Sequence, residues 1–206
     1  MSGRFLYLQN AWGGPPSSLR QVRGHRIDVF QQYDTERLDW SGYDAVLVSM
    51  SADQIHLGEM TNKISAYLDQ VGTLLINSHV TRPYLPELRR YEPMEKRGRA
   101  ELEIHRDNEH PLFEGISAQQ LTLRRGVAGF YGRGSNPPPP GALVINSVGP
   151  DHVAVDWLYE RPAGGRIFSH AGVELWAVLM LEGPEQGMPV IQRFFDWMAS
   201  TSRVTA

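Results

Sequence analysis

A helix, a glycine and a buried strand follow one another between Leu57 and His79, and this segment constrains the fold most. Apolar residues recur on one helical face from Leu57 to Val71, which predicts a helix. Gly72 then stands where a left-handed helix end is expected. The run Thr73–Ile76 is apolar without alternation, as in a strand that is covered on both faces. The segment therefore predicts a strand of a parallel sheet that is layered by helices.

Other short apolar runs predict further strands of the same sheet: Phe5–Leu8, His25–Phe30, Ala45–Val48 and Arg166–Ser169. Their alternation with helical segments is typical of a doubly wound α/β domain with a mostly parallel sheet. The first strands of the chain are separated by enough residues for crossover connections. We expect the strands that begin at Phe5, Ala45, Thr73 and Arg166 to be parallel neighbours.

Antiparallel strands are expected to be added to this sheet between Leu121 and Tyr159. Leu121–Tyr131 is predicted to be one strand. The turn signal Gly149-Pro150-Asp151 predicts a hairpin, because it separates two strand-like runs, Ala142–Val148 and His152–Tyr159.

The remaining segments give weaker signals. Ala100–Ile104 alternates and predicts an edge strand, and Pro86–Arg90 is compatible with a short helix. The four prolines at 137–140 predict an exposed polyproline connection. A closing helix is predicted over Pro189–Ala199, with Pro189 in its first turn.

Composition limits the functions that this chain can have. One domain covering residues 1–206 is long enough to bury its own core. The chain has no cysteine, which excludes disulfides, thiolate metal ligands and a cysteine nucleophile. The formal net charge of −3 gives no electrostatic reason to expect nucleic acid. No apolar run suits a membrane span or a signal peptide, so we expect no membrane partner and a cytoplasmic location.

Polar side chains follow the predicted strand at Thr73 directly, at the edge where open α/β sheets bind ligands. Asn10 and Trp12 follow the first strand to the same edge, and an amide beside a flat ring suits a carbohydrate-like ligand. Arg82 offers a clamp for an anion or a sugar hydroxyl. We therefore expect a small-molecule substrate to be bound by five residues: Asn10, Trp12, Asn77, His79 and Arg82.

Ser78, His170 and Glu174 supply the residue types of a nucleophile, a base and an orienting acid. Ser78 and His170 both lie at predicted strand ends, which makes a shared catalytic site a reasonable hypothesis. The alternative is that Ser78 bonds its own backbone in a turn and that His170 caps a helix or packs against Trp176. The sequence leaves open whether the chain is an enzyme, such as a hydrolase.

Other clusters are less informative. His79 and His170 have metal-ligand chemistry, but no third ligand is identifiable near them, so we expect no metal site. The polar cluster His105–His110 is better explained as a turn. Arg124–Arg125 is a second candidate for an anion clamp. No motif identifies a cofactor, and a homo-oligomer is left open.

Three segments in this order carry a family resemblance: Lys63–His79, HPLFEGI at His110–Ile116, and GRIFSHAG at Gly165–Gly172 with the later FFDWMA at Phe194–Ala199. Together they resemble the ThuA-like branch of the class I glutamine amidotransferase-like superfamily. The resemblance implies a flavodoxin-like sheet with helices on both faces. It also implies a role in carbohydrate metabolism.

The departures from that superfamily concern its chemistry. A glutamine amidotransferase of this kind presents a nucleophilic cysteine on a sharp turn after the strand that corresponds to Thr73–Ile76. Asn77, Ser78 and His79 stand there instead, without the flanking glycines of a strained elbow. The His-x-Glu pair of such enzymes is only approximated by His170 and Glu174. Glutamine hydrolysis by that route is excluded.

The leading hypothesis is a ThuA-like protein that binds or acts on a small polar metabolite, such as a sugar derivative, in the crevice at the strand ends. Four segments are expected to form this crevice: Asn10–Gly14, Ser49–Asp53, Asn77–Arg82 and His170–Glu174. The alternative is a non-catalytic amidotransferase-like module for assembly or protein interaction, which the missing cysteine and the tetraproline loop favour. An open pocket with converging polar groups favours the first hypothesis. An apolar or blocked crevice favours the second.

Overall fold

A single eight-stranded sheet crosses the protein, which we describe from a computed structural model over residues 2–95 and 98–201. The strands are β1 Arg4–Gln9, β2 Arg26–Gln31, β3 Ala45–Val48, β4 Thr73–Asn77, β5 Glu92–Pro93, β6 Ile104–Arg106, β7 Leu123–Arg124, β8 Val127–Ala128, β9 Gly134–Ser135, β10 Leu143–Val148, β11 Val153–Glu160 and β12 Arg166–His170. The α-helices are α1 Gln54–Glu59, α2 Thr61–Asp69, α3 Ala118–Thr122, α4 Leu175–Val178 and α5 Pro184–Thr201. Short 3-10 turns occupy Ser17–Gln21, Gln32–Thr35, Pro111–Phe113 and Leu179–Glu182.

The sheet order is β2-β1-β3-β4-β12-β11-β10-β6. Strands β2, β1, β3, β4 and β12 are mutually parallel, and β11, β10 and β6 extend the sheet in antiparallel fashion. The flavodoxin-like, mostly parallel architecture and the four parallel neighbours predicted from the sequence are confirmed. Since β4 and β12 end in register, with Asn77 opposite His170, their polar ends lie side by side.

Burial on both faces explains why the central strands are apolar without alternation. All five residues of β4 are buried. Leu75 belongs to the apolar core on one face of the sheet, whereas Leu74 and Ile76 belong to the core on the other face. A parallel strand between two helical layers needs apolar side chains in both directions.

The helix predicted over Leu57–Val71 is divided into two helices. Helix α1 begins before Leu57, and a break at Met60 separates it from α2. The Asp53 side chain caps α1 by accepting hydrogen bonds from the backbone N–H groups of Ile55 and His56. The left-handed residue after α2 is Val71, with φ of 66°, rather than Gly72. Gly72 is required for space, since a Cβ there would lie 2.5 Å from the Tyr67 ring.

The strand predicted over Leu121–Tyr131 is wrong. Ser117 and Gln120 form a reciprocal capping box, which stabilises the start of α3, and this helix ends at Thr122. A two-residue hairpin of β7 and β8 follows, turned by Arg125 and Gly126, both at positive φ. Local capping and turn chemistry therefore override the apolar pattern.

Other boundaries also differ from the predictions. The edge strand is β6 rather than Ala100–Ile104, and no helix forms over Pro86–Arg90. Helix α5 begins at Pro184, so that Pro189 lies inside it. The tetraproline connection is only partly exposed, since Pro139 is buried. The predicted hairpin of β10 and β11 is confirmed.

The core assignment predicts a difference between two leucines of similar chemistry. Leu75 is fully buried, whereas Leu143 at the start of β10 is 39% exposed. Leu75→Ala should lower the free energy of unfolding by about 2–5 kcal/mol, because it removes core volume. Leu143→Ala should cost about 0.5 kcal/mol. Urea denaturation checks both variants, and equal losses would contradict the assignment.

Candidate functional site

A cleft of about 450 Å³ opens beyond the carboxyl ends of β3, β4 and β12. Its lining residues are Met50, Ala52, Asp53, Gln54, Ile55, His79, Thr81, Arg82 and Gly172. A larger hollow of about 780 Å³ lies along Arg106–Gln120 and contains none of the predicted site residues. The cleft, rather than the larger hollow, is the candidate site, since it occupies the ligand-binding edge of the sheet.

One wall of the cleft is fixed around Asp53. The buried Gln32 amide forms two hydrogen bonds with the Asp53 backbone, donating to its carbonyl at 2.8 Å and accepting its N–H at 2.9 Å. The Asp53 carboxylate accepts the Tyr33 hydroxyl at 2.9 Å. Hydrogen bonds from Tyr33 and from the N–H groups of His56 and Ile55 lower the pKa of Asp53. This wall therefore carries a stable negative charge.

The facing wall is the segment 78–82, and one glutamine side chain ties it to the start of α1. Gln54 donates to the carbonyl of His79 at 2.8 Å. Its carbonyl oxygen accepts the N–H groups of Thr81 at 2.8 Å and Arg82 at 2.9 Å. Gln54 thus joins both walls of the cleft.

A second side-chain amide forms hydrogen bonds with the backbone of the same segment from the opposite side. Buried Asn136 donates to the Ser78 carbonyl at 2.8 Å and accepts the Val80 N–H at 2.9 Å. The Val80 carbonyl accepts the N–H of Tyr91 at 2.6 Å. The backbone of 78–82 is thus held from three sides, and this fixes the position of the side chains that it carries.

His79 and Arg82 are the polar side chains that this segment leaves free. The His79 ring stacks on Tyr91, with centroids 3.8 Å apart and planes 13° apart. Within residues 2–95 and 98–201, neither the imidazole of His79 nor the guanidinium of Arg82 has a hydrogen bond or ion pair. Burial and the charge of His170 lower the pKa of His79. The cleft thus presents an exposed cation and an imidazole that is biased toward its neutral form.

His170 is not placed as a base that faces the cleft. It is fully buried at the end of β12, and its Nδ1 lies 2.7 Å from the Asp156 carboxylate. Its Nε2 donates to the carbonyl of Val173 at 2.9 Å. Asp156 also accepts the Tyr131 hydroxyl at 2.7 Å and the Asn146 amide at 2.6 Å. Both ring nitrogens are therefore occupied by partners inside the protein.

Ser78 and Glu174 are also buried, in different surroundings. Glu174 accepts the Tyr7 hydroxyl at 2.8 Å, and burial raises the pKa values of both groups. The Ser78 hydroxyl is buried without a hydrogen-bond partner among the described residues. The described hydrogen bonds do not join Ser78, His170 and Glu174, and their catalytic roles stay predictions.

The turn after β4 also differs from a strained nucleophile elbow. Positive φ among the described residues other than glycine occurs at Val71, Arg125 and His152, and not at residues 77–79. The backbone there is consequently relaxed, without the exposed, sharply turned side chain that an elbow presents.

The other predicted ligand-binding residues do not line the cleft and lie in two places. Asn10 lies near the Tyr33 side chain, whose hydroxyl donates to the Asp53 wall. Trp12 is fully exposed and lines a separate hollow of about 290 Å³ with Asn10. Asn77 is buried and accepts the Leu175 N–H at 3.2 Å, so it faces the interior.

The sequence analysis expected Asp53 in the crevice, and Asp53 lines the cleft. It missed four residues that shape the cleft: Gln32, Gln54, Tyr91 and Asn136. Within the described residues, no three His, Cys, Asp or Glu side chains are grouped to hold a metal ion. Among the same residues, no helix combines the length and apolar character that a membrane crossing requires.

Comparison with known proteins identifies the fold. A glutamine amidotransferase from Thermotoga maritima superposes with a TM-score of 0.54 at 8% sequence identity, over 98% of this chain and 90% of that chain. At this identity the likeness concerns the fold alone. The sequence matches no protein-family model and no curated protein. This chain therefore shares the fold of that glutamine amidotransferase.

Burial of Glu174 predicts a pH dependence of stability. A carboxyl whose pKa is raised in the folded state binds its proton more tightly there, so stability falls as pH rises above the ordinary value of 4.5. Glu174→Gln should remove this part of the fall, because the amide cannot ionise. Exposed Glu103→Gln should keep the wild-type profile. Chemical denaturation at a series of pH values measures the free energy of unfolding. If its pH dependence is the same in Glu174→Gln as in the wild-type protein, the interpretation is contradicted.

Proposed function

We propose that this chain is a ThuA-like protein that binds a small polar metabolite, such as a sugar derivative, in the cleft at the strand ends. The observation that carries the proposal is the fixed segment 78–82, which presents His79 and Arg82 with free polar groups. The cleft volume of about 450 Å³ suits a small ligand. The fold and the three family-like segments support the ThuA-like assignment.

The proposal does not include glutamine hydrolysis. The chain has no cysteine, and the turn after β4 has no residue at positive φ. If the bound metabolite is transformed, the acid–base candidates remain Ser78, His170 and Glu174. Their burial means that a substrate would reach them only after a local rearrangement. Binding is therefore the primary function that we propose.

A non-catalytic module for assembly or protein interaction is the second candidate. Its support is the occupied ring of His170 and the exposed apolar side chains beside the cleft, Met50 at 55% and Ile55 at 57%. The cytoplasmic location and a homo-oligomer remain predictions, as does the expectation that nucleic acid and membranes are not partners.

A metabolite panel tests the proposal. Titration of the protein with sugars, sugar acids and sugar phosphates, followed by amide chemical shifts in NMR, should identify a ligand that shifts residues 79–82. His79→Ala should weaken that ligand about tenfold, the effect of losing one hydrogen bond. His105→Ala, at a half-buried histidine outside the cleft, is the matched control and should leave the Kd unchanged.

Two results would contradict the proposal. If no small molecule shifts residues 79–82, the cleft is not a metabolite site and the interaction module takes its place. If His105→Ala weakens the ligand as much as His79→Ala does, binding lies elsewhere on the surface.

A further inference from the structure

The charges in the cleft are not paired with each other. Asp53 and Arg82 line opposite walls of one cleft, yet no ion pair joins them in the described part of the chain. The Asp53 carboxylate is occupied, since one oxygen accepts two backbone N–H groups and the other accepts the Tyr33 hydroxyl. Arg82 therefore lines the cleft without an ion-pair partner among the described residues, although the ionised Asp53 lines the same cleft.

A hydrogen bond to Gln54 holds the backbone of Arg82 in place. Its N–H donates to the Gln54 side chain at 2.9 Å, and the same oxygen accepts the Thr81 N–H. Three residues earlier, His79 is held by its carbonyl bond to Gln54 and by stacking on Tyr91. A site whose backbone is already ordered loses less conformational entropy when a ligand binds.

We infer that the ligand of this cleft carries a carboxylate or phosphate group, which binds between the guanidinium of Arg82 and the imidazole of His79. The inference rests on the proposed function and specifies the chemical class of its ligand. Arginine presents a planar fork of N–H donors that matches both groups. A neutral imidazole adds one N–H donor without a second charge.

The same geometry assigns Gln54 as a positioning residue. It does not need to touch the ligand, because it holds the backbone of both residues that do. Gln54→Ala should weaken anion binding although Arg82 and His79 remain. Gln54→Glu keeps an acceptor for the N–H groups of Thr81 and Arg82, so these two amides should exchange more slowly than in the alanine variant, while the added negative charge should weaken anion binding.

Matched ligands separate this inference from the proposed function. Calorimetric titrations use glucose, glucuronate, glucose 6-phosphate and inorganic phosphate against the full chain. The charged sugars should bind more tightly than glucose, and their affinity should fall with added salt because the contact with Arg82 is exposed. Arg82→Gln should weaken the charged sugars about tenfold or more, as expected for a hydrogen bond to a charged group. Exposed Arg20→Gln, outside the cleft, should leave them unchanged.

Three other outcomes would overturn the anion inference. If glucose binds as tightly as its acids and Arg82→Gln changes nothing, the anion inference is overturned while metabolite binding stands. If Arg20→Gln weakens the acids equally, the effect is general surface charge and the inference is also overturned. If none of the probes binds, the anion inference is overturned, and the wider metabolite panel decides the proposed function.

Discussion

The requirement that buried backbone groups be hydrogen-bonded determines how this protein ends its central strand. Strand β4 is covered on both faces, and its continuation leaves the sheet while Val80 is still fully buried. The backbone of the buried residues Ser78 and Val80 has lost its sheet partners and is shielded from water. Asn136 supplies the missing partners of these two residues, and Gln54 adds partners for the exposed residues that follow Ser78 and Val80. The cleft exists in its observed form because this demand is met by side chains that lie on either side of the segment.

The buried polar network beneath the cleft occupies both ring nitrogens of the strand-end histidine, His170. His170 and Asp156 are opposite each other on β12 and β11, and Tyr131 and Asn146 complete the carboxylate's hydrogen bonds. A buried charged group needs such partners, and removal of one leaves the other uncompensated. The residue types of a catalytic site are thus present, and His170 is paired with Asp156 of the antiparallel extension of the sheet.

Much of the fold followed from the sequence because burial on both faces leaves a simple pattern. The apolar runs at β1, β3, β4 and β12 predicted the parallel centre, and the Gly149-Pro150-Asp151 turn predicted the hairpin. The error at Leu121–Tyr131 came from weighting the apolar pattern above the capping box at Ser117, which was present in the sequence. The hydrogen bonds that hold the walls of the cleft were not predictable, since Gln54 and Asn136 act on backbone 25 to 58 residues away. Nothing local distinguishes these amides from solvated ones.

The claim that Gln54 fixes the 78–82 segment is tested most directly by amide hydrogen exchange. Thr81 and Arg82 are exposed residues, yet their N–H groups donate to Gln54, whereas the Val80 N–H donates to Asn136. All three amides should exchange slowly in the wild-type protein. In Gln54→Ala, Thr81 and Arg82 should exchange rapidly while Val80 stays protected. Rapid exchange of Thr81 and Arg82 in the wild-type protein, or their continued protection in the variant, would contradict the account.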